Sequence, residues 1–361
     1  LSTNPYEQLA ARLDEIPNSF TATKDGTHLK LLKWIFTPNE AKLASKMKLR
    51  GETTDDLVDR LELSIDGLED QLEKMAEKGQ IRAWNSSTGR RYALLPLVVG
   101  IHDEQLHRMD TEYAQLVEDY LDASRFEGLW GNEPALFRVI PVNKAISTDL
   151  EIHQYEIAEQ MIESSKSWGI RECICKKQQN LLGNPCKHGV SKCIQLHPRK
   201  ENVFDETDLT NSISKEEALS ILRDAEEAGL VHCSMNTQSD HLYICNCCSC
   251  CCIPLRGLSK WEQPYAYVRS NYQTAVDVDL CTGCESCLDR CHFDALSISG
   301  EVCVVNAERC IGCGVCSISC PEQALQLVSR DPSDKETPPA SLMEWGMLKA
   351  ASRGVDPSDL M

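Results

Sequence analysis

The segment DVDLCTGCESCLDRCHFDALSI (277–298) is followed by NAERCIGCGVCSISCPEQALQL (306–327), and the two can be laid over one another. Cys281, Cys284, Cys287 and Cys291 each find a counterpart 29 residues later, at Cys310, Cys313, Cys316 and Cys320. The flanking residues repeat as well. A duplication this close implies two similar structural units folded together.

The spacing C-x2-C-x2-C-x3-C has a physical logic. In a tight loop, two residues between cysteines aim three thiolates at three corners of one cubane cluster. The fourth cysteine, starting the following helix, points away and serves the cluster of the other copy. One cluster would then take Cys281, Cys284, Cys287 and Cys320, and the other Cys310, Cys313, Cys316 and Cys291. Gly283 and Gly312 let each loop turn and bring backbone N–H groups toward the inorganic sulfurs. A zinc site would want two CxxC pairs around one ion, not two interleaved sets of four.

On these motifs the span 271–330 resembles the bacterial-type ferredoxin with two [4Fe–4S] clusters. The resemblance implies a β-α-β-β-α-β sandwich with the clusters near its two ends, passing single electrons at low potential. One position departs from the pattern: Pro321 follows Cys320, whereas His292 follows Cys291. Ligation survives this change, and it bears on the potential and solvent access of the neighbouring cluster. Cys303, on the strand-like EVCVV (301–305), reads as a small buried hydrophobe.

Of the 20 cysteines, eleven more lie in RECICKKQQNLLGNPCKHGVSKC (171–193), at Cys233 and in ICNCCSCCCIPL (244–255). Cys173, Cys175, Cys186 and Cys193 make up a full ligand set beside Lys176 and Lys177, which favour the thiolate form. In the octet CNCCSCCC, Cys245, Cys248 and Cys252 would share one helix face and Cys247, Cys250 and Cys251 another. An extended chain would sort them differently, so the six form a ligand pool with no set picked out. Ala or Val would pack as well without the redox liability, so some of this pool is read as spent on metal. The expectation is one or two further [4Fe–4S] clusters, with zinc as the alternative. His188, His197, His232 and His241 lie near these cysteines and read as hydrogen-bonded residues, not ligands.

The 361 residues allow two or three domains, and 42% hydrophobic with 25% charged residues is a globular balance. A net charge of −18 argues against general affinity for nucleic acid or anionic membrane. The opening LSTNPYEQLAARLDEIPNSF (1–20) is polar and amphipathic, and the apolar run YALLPLVVGI (92–101) is too short to span a bilayer. The chain is therefore expected to be cytoplasmic, where thiols stay reduced, and disulfides fall behind metal as a use for its cysteines.

Upstream, 29–36, 37–47, 53–63 and 64–79 read as helices, with Thr37 capping the second ahead of Pro38 and Ser64 and Gly79 bounding the last. Two strands around the turn NSSTG (85–89) follow, an order that resembles a winged helix-turn-helix. Its would-be reading helix carries Asp66, Glu69, Asp70, Glu73 and Glu77, which suits protein docking better than base reading. Helices are expected at 104–123, 151–167 and 216–230, a strand at 137–142, a polar Pro-rich linker at 331–341 and a short amphipathic helix at 342–354.

The predicted fold is α+β and multidomain: a winged-helix-like domain (1–100), a helical and Cys-rich middle domain (101–270), a dicluster ferredoxin domain (271–330), and a linker with a C-terminal docking helix (331–361). The whole also resembles, loosely, multi-cluster iron–sulfur proteins of anaerobic microbes. The predicted function is electron transfer to or from a partner redox protein or oxidoreductase subunit, with no catalytic residue assigned, no nucleic-acid partner and no membrane insertion. The alternatives are a catalytic unusual cluster in the octet region and an iron–sulfur redox-sensing regulator.

Overall fold

The computed structural model describes residues 3–146, 152–189, 192–205 and 207–360. Two compact units emerge: Leu1–Pro134 with Leu181–Gly183 and Gly346–Met361, and Ala135–Asn180 with Asn184–Trp345.

The first unit is helical. Helices Pro5–Glu15, Thr27–Ile35, Pro38–Ala44, Thr54–Leu61 and Leu68–Glu77 precede a hairpin of β1 (Ile81–Ser86) and β2 (Gly89–Leu94). Thr37 caps the third helix in a reciprocal box with Glu40, and Pro38 takes the first turn, where its missing N–H costs nothing. The helix expected from Ser64 starts later. Gly67 sits at φ 73° and the helix begins at Leu68, so Ser64 Oγ accepts from Asp66 N at 3.3 Å instead of capping. Ile65, which a helix begun at Ser64 would set on one face with Leu68, Leu72 and Met75, therefore falls outside the helical periodicity and is 57% exposed. Leu68, Leu72 and Met75 do pack inward. At the hairpin, Arg90 makes two bonds to the Glu73 carboxylate, 2.8 and 2.9 Å, and Arg91 donates to Gly51 O at 2.7 Å. The helix expected at 104–123 runs Thr111–Ser124 behind an Asp110 cap. In the C-terminal helix Leu342–Arg353, Lys349 is fully buried and donates to the carbonyls of Leu129, Asn132 and Pro134.

The second unit is built on a feature absent from the sequence-based expectations, a six-stranded antiparallel sheet. Its strands are β3 (Phe137–Ile140), β4 (Ser167–Glu172), β5 (Lys192–His197), β6 (Asn211–Ile213), β7 (Val231–Met235) and β8 (Tyr243–Cys247), in the order β3-β7-β8-β5-β4-β6. The expected 151–167 helix is shorter, Ala158–Ser164, because the chain enters β4 at Ser167; residue 151 lies outside the described residues. Helix Lys215–Glu227 is capped by Ser214 and Glu217. These two helices cover one face of the sheet, where Ala158, Met161, Ile162, Ala218 and Leu222 bury Ile140, Ile194, Leu196 and Ile244.

Strand residues alternate between faces. The register pairs Cys233 with Cys245 and Val231 with Cys247, and continuing from Ile194↔Ile244 it sets Cys193 opposite Cys245. Cys193, Cys233, Cys245 and Cys247 thus share the face opposite the aliphatic one.

The C-terminal part of this unit pairs β9 (Tyr272–Val276) with β12 (Leu325–Ser329) and β10 (Leu296–Ser299) with β11 (Val302–Val305). The segment expected as a linker is held against the unit by hydrogen bonds. Gln238 N donates to Pro339 O, Ser239 Oγ to Ala340 O, Arg138 to Glu336 O, and Glu336 N to Asn271 Oδ1, at 2.7–3.0 Å. Extended Pro-rich backbone makes no bonds within itself, so its carbonyls are free to accept such donors.

Candidate metal centres

The duplicated segment repeats in backbone conformation as well as in cysteines. Positive φ occurs at Gly283 and Gly312, at Glu285 and Gly314, and at Asp294 and Gln323, each pair 29 residues apart. One expectation needs correction: the fourth cysteine of each copy does not start a helix. Cys287 and Cys316 lie at or in the short turns Leu288–Arg290 and Val315–Ile318, and Cys291 and Cys320 come after those turns. Three intervening residues make about one helical turn, so the fourth thiol leaves at its far end.

Cys281, Cys284 and Cys287 line one hollow together with Cys320 of the other copy, Cys303 and Leu325. Around the second loop, Cys291 lies close enough to interact electrostatically with Cys313 and Cys316, as does Cys310. Backbone donors already point at the sulfurs. Ala295 N reaches Cys291 Sγ and Ala324 N reaches Cys320 Sγ, both at 3.3 Å, and Cys303 N reaches Cys281 Sγ at 3.4 Å. Cys303 stands 29 residues from Thr274, and each faces the third cysteine of a copy: Cys287 Sγ at 3.7 Å from Cys303 Sγ, Cys316 Sγ at 3.5 Å from Thr274 Oγ1.

These residues fit iron–sulfur clusters. Burial pushes the Cys313 and Cys316 thiols up, Cys316 to about 11, so without a cation they stay protonated. A bound metal would reverse that, because thiolate–metal bonds replace the lost hydration. The N–H···S bonds would then stabilise the ligand charge.

The middle cysteines fall into two groups. Cys186, Cys248, Cys250 and Cys251 place their sulfurs all within 4.8 Å of one another. A tetrahedral ion with metal–sulfur bonds of about 2.3 Å separates its sulfurs by about 3.8 Å, so this quartet has single-ion dimensions. A cubane carries a metal at every thiolate and would hold the sulfurs farther apart.

The second group is a ring. Cys173 interacts with Cys175 and Cys193, Cys193 with Cys245, Cys245 with Cys247, Cys247 with Cys252, and Cys252 with Cys175, and Cys233 adjoins the ring at Cys247. The set Cys173, Cys175, Cys186 and Cys193 drawn from the sequence is thus divided: Cys186 joins the quartet and the other three join the ring. The octet is neither wholly helical nor wholly extended. It ends β8 at Cys247, turns through residues 248–251, and enters helix Ile253–Ser259 behind Cys252. That path sends Cys248, Cys250 and Cys251 to one group and Cys245, Cys247 and Cys252 to the other.

Lys176, 5% exposed, interacts with members of both. Burial pulls its ammonium down, but Cys248, Cys186, Cys173 and Cys193 outweigh that and raise it. His188, His197, His232 and His241 each hydrogen-bond protein groups: Ala228 O, the N–H groups of Arg199 and Lys200, Asn246 Oδ1 and Ser234 Oγ. His292, in the place held by Pro321 in the second copy, makes contacts that its position in the sequence does not reveal. Its Nε2 lies 2.7 Å from Gly229 O, its Nδ1 3.4 Å from Ser249 Oγ, and its ring centroid 5.4 Å from that of His188.

Thiol spacing and backbone repeat together mark an iron–sulfur-binding, ferredoxin-like segment in the C-terminal part of the chain. Residues 303–326 match a 4Fe-4S binding domain, the span that holds the second cysteine copy. An uncharacterized ferredoxin of Methanocaldococcus jannaschii is 38% identical over 52 residues, 14% of this chain and 34% of the relative. The chain thus covers about a third of that ferredoxin's length. No solved structure matches the chain. Among the described residues, no helix is long and apolar enough to cross a membrane.

Proposed function

We propose that the chain is an electron-transfer protein with two [4Fe–4S] clusters, one on Cys281, Cys284, Cys287 and Cys320, the other on Cys310, Cys313, Cys316 and Cys291. The observation that carries this reading is the hollow in which three thiols of one copy meet the fourth of the other. The clusters would supply one-electron transfer at low potential. The protein's own part is to position and tune: the N–H groups of Ala295, Ala324 and Cys303 donate to ligand sulfurs. Arg330, 7% exposed, ties Cys310 O to Ser270 O and so holds the second loop in place.

The quartet Cys186, Cys248, Cys250 and Cys251 takes one further thiophilic metal ion in this reading. His292 and Arg290 support a link between that region and the second ferredoxin set, since both bond the backbone at residues 227–229, next to the quartet's Ala228 and Leu230 neighbours. The partner is a redox protein or oxidoreductase subunit with a basic contact surface, favoured by the −18 charge. The winged-helix-like start serves docking in this account, because its hairpin arginines are engaged with Glu73 and Gly51.

The test is Cys320→Ser in anaerobically purified full-length chain. Loss of about four of the irons assigned to the repeat, with one cubane electron paramagnetic resonance signal retained, is the expected result. Full retention of both signals, or an iron-free wild type, would overturn the proposal.

A further inference from the structure

Six thiols in a closed ring, with Cys233 adjoining it at Cys247, exceed what one cubane or one tetrahedral ion requires, since each takes four. Cys173 directly follows β4, Cys193 sits on β5, Cys245 and Cys247 on β8, and Cys175 and Cys252 come from the helix Ile174–Leu181 and the N-cap of Ile253–Ser259. Five elements, far apart in sequence, thus deliver thiols to one side of a sheet whose other side is filled with Ile and Leu.

If the ring were only packing, aliphatic residues would fill that face as they fill the opposite one, without the desolvation that a sulfhydryl cluster imposes. Polar groups converge there too. The Tyr267 hydroxyl lies 3.9 Å from both Cys247 Sγ and Cys252 Sγ, and Lys176 brings a buried positive charge beside Cys173 and Cys193. A donor and a cation at the rim are what a cluster with excess negative thiolate charge needs.

We propose that Cys173, Cys175, Cys193, Cys245, Cys247 and Cys252 form a polynuclear thiolate-bridged metal centre, separate from the quartet and from the ferredoxin pair. Two tetrahedral ions sharing two bridging thiolates use six sulfurs, and a multi-iron sulfide cluster can use the same set. Both are soft-metal chemistry on one ligand shell. Lys176 lies between this centre and the quartet and offsets negative charge in both. Tyr267 is a positioning residue that donates to the bridging side of the ring.

The experiment compares full-length wild type with Cys193→Ser/Cys245→Ser after anaerobic loading, in one arm with iron and sulfide and in the other with zinc. Metal and acid-labile sulfide are counted per chain, and cubane resonance signals are recorded. The expected result is a loss of at least about two metal ions in the variant with the cubane signals unchanged. Loss of iron with sulfide identifies an iron–sulfur cluster, and loss of zinc identifies a bridged ion pair. A variant that keeps the full wild-type metal content overturns the proposal. Should the variant fail to fold, anomalous diffraction from wild-type crystals at the iron and zinc edges decides: density inside the ring supports the centre, and its absence overturns it. Missing cubane signals with metal in the ring would instead sink only the electron-transfer reading.

Discussion

Gly312 is the tightest point of the second cluster loop, and replacing it with Ala tests whether the loop is as constrained as its contacts indicate. Gly312 has φ +70°, and an added Cβ would lie 2.1 Å from Tyr272 O and 2.2 Å from Ser270 Oγ. To reach van der Waals separation, the gap to Tyr272 must open by roughly 1 Å or more. The neighbouring backbone is tied down. Ser270 Oγ donates to Gly312 O at 2.7 Å, Ser270 N to Ile311 O at 3.1 Å, and Arg330 Nε to Ser270 O at 3.0 Å. Breaking these three bonds costs about 1 kcal/mol each, and a non-glycine residue at positive φ adds about 1 kcal/mol.

Gly312→Ala should therefore lose roughly 4 kcal/mol locally. Gly300→Ala is the control, because Gly300 also has positive φ, +66°, with nothing within 4 Å of its would-be Cβ. It should lose only about 1 kcal/mol. Amide hydrogen exchange of β9 and β12 in the iron-loaded chain reads the difference. Gly312→Ala should accelerate exchange there by roughly a thousandfold, and Gly300→Ala by no more than about tenfold. Equal effects from the two would mean that the Tyr272–Ser270 backbone yields freely, and the account of a rigid loop would fail.

In the first unit, Lys349→Met should destabilise by about 2–3 kcal/mol in urea unfolding, because it leaves the carbonyls of Leu129, Asn132 and Pro134 without their buried donor. An unchanged midpoint would show that those carbonyls find other partners. Glu40 makes a pH prediction: burial alone would raise its carboxyl, but bonds from Lys78, Thr37 and Gln80 hold it at about 2, against 4.5 unperturbed. A carboxylate depressed in the native state gives stability that is fully present above its unfolded pKa and lost as pH falls toward about 2. Glu40→Gln should therefore be less stable than wild type at pH 7, by at most about 3 kcal/mol, with the gap closing between pH 4.5 and 2. A gap that persists unchanged at pH 2 would refute the assignment.

Much of the chemistry was legible from local pattern. The spacing of Cys281–Cys291 and its echo at Cys310–Cys320 needs no tertiary information, because each loop's geometry is dictated by residues within a dozen positions. The Thr37 cap, Pro38 and Gly79 are local in the same way. Ile65 lies outside the helix that the 64–79 pattern suggests because one positive-φ glycine, Gly67, shifts the helix start to Leu68. The 331–341 segment read as a free linker because the donors that hold it, from Gln238, Ser239 and Arg138, lie about 100 residues or more away.

The sequence alone determined that this chain binds thiophilic metal, through a duplicated motif whose spacing is itself the ligand geometry. The partition of the remaining cysteines was decided only by tertiary structure. YICNC carries the period-2 alternation that puts Cys245 and Cys247 on one face of β8, but which strands flank β8 depends on pairing with β5 and β7. Cys186 leaves its sequence neighbours for Cys248, Cys250 and Cys251 because the turn after β8 reverses the chain. Long-range strand pairing is set by the burial of a whole face and is not encoded in any single window of sequence.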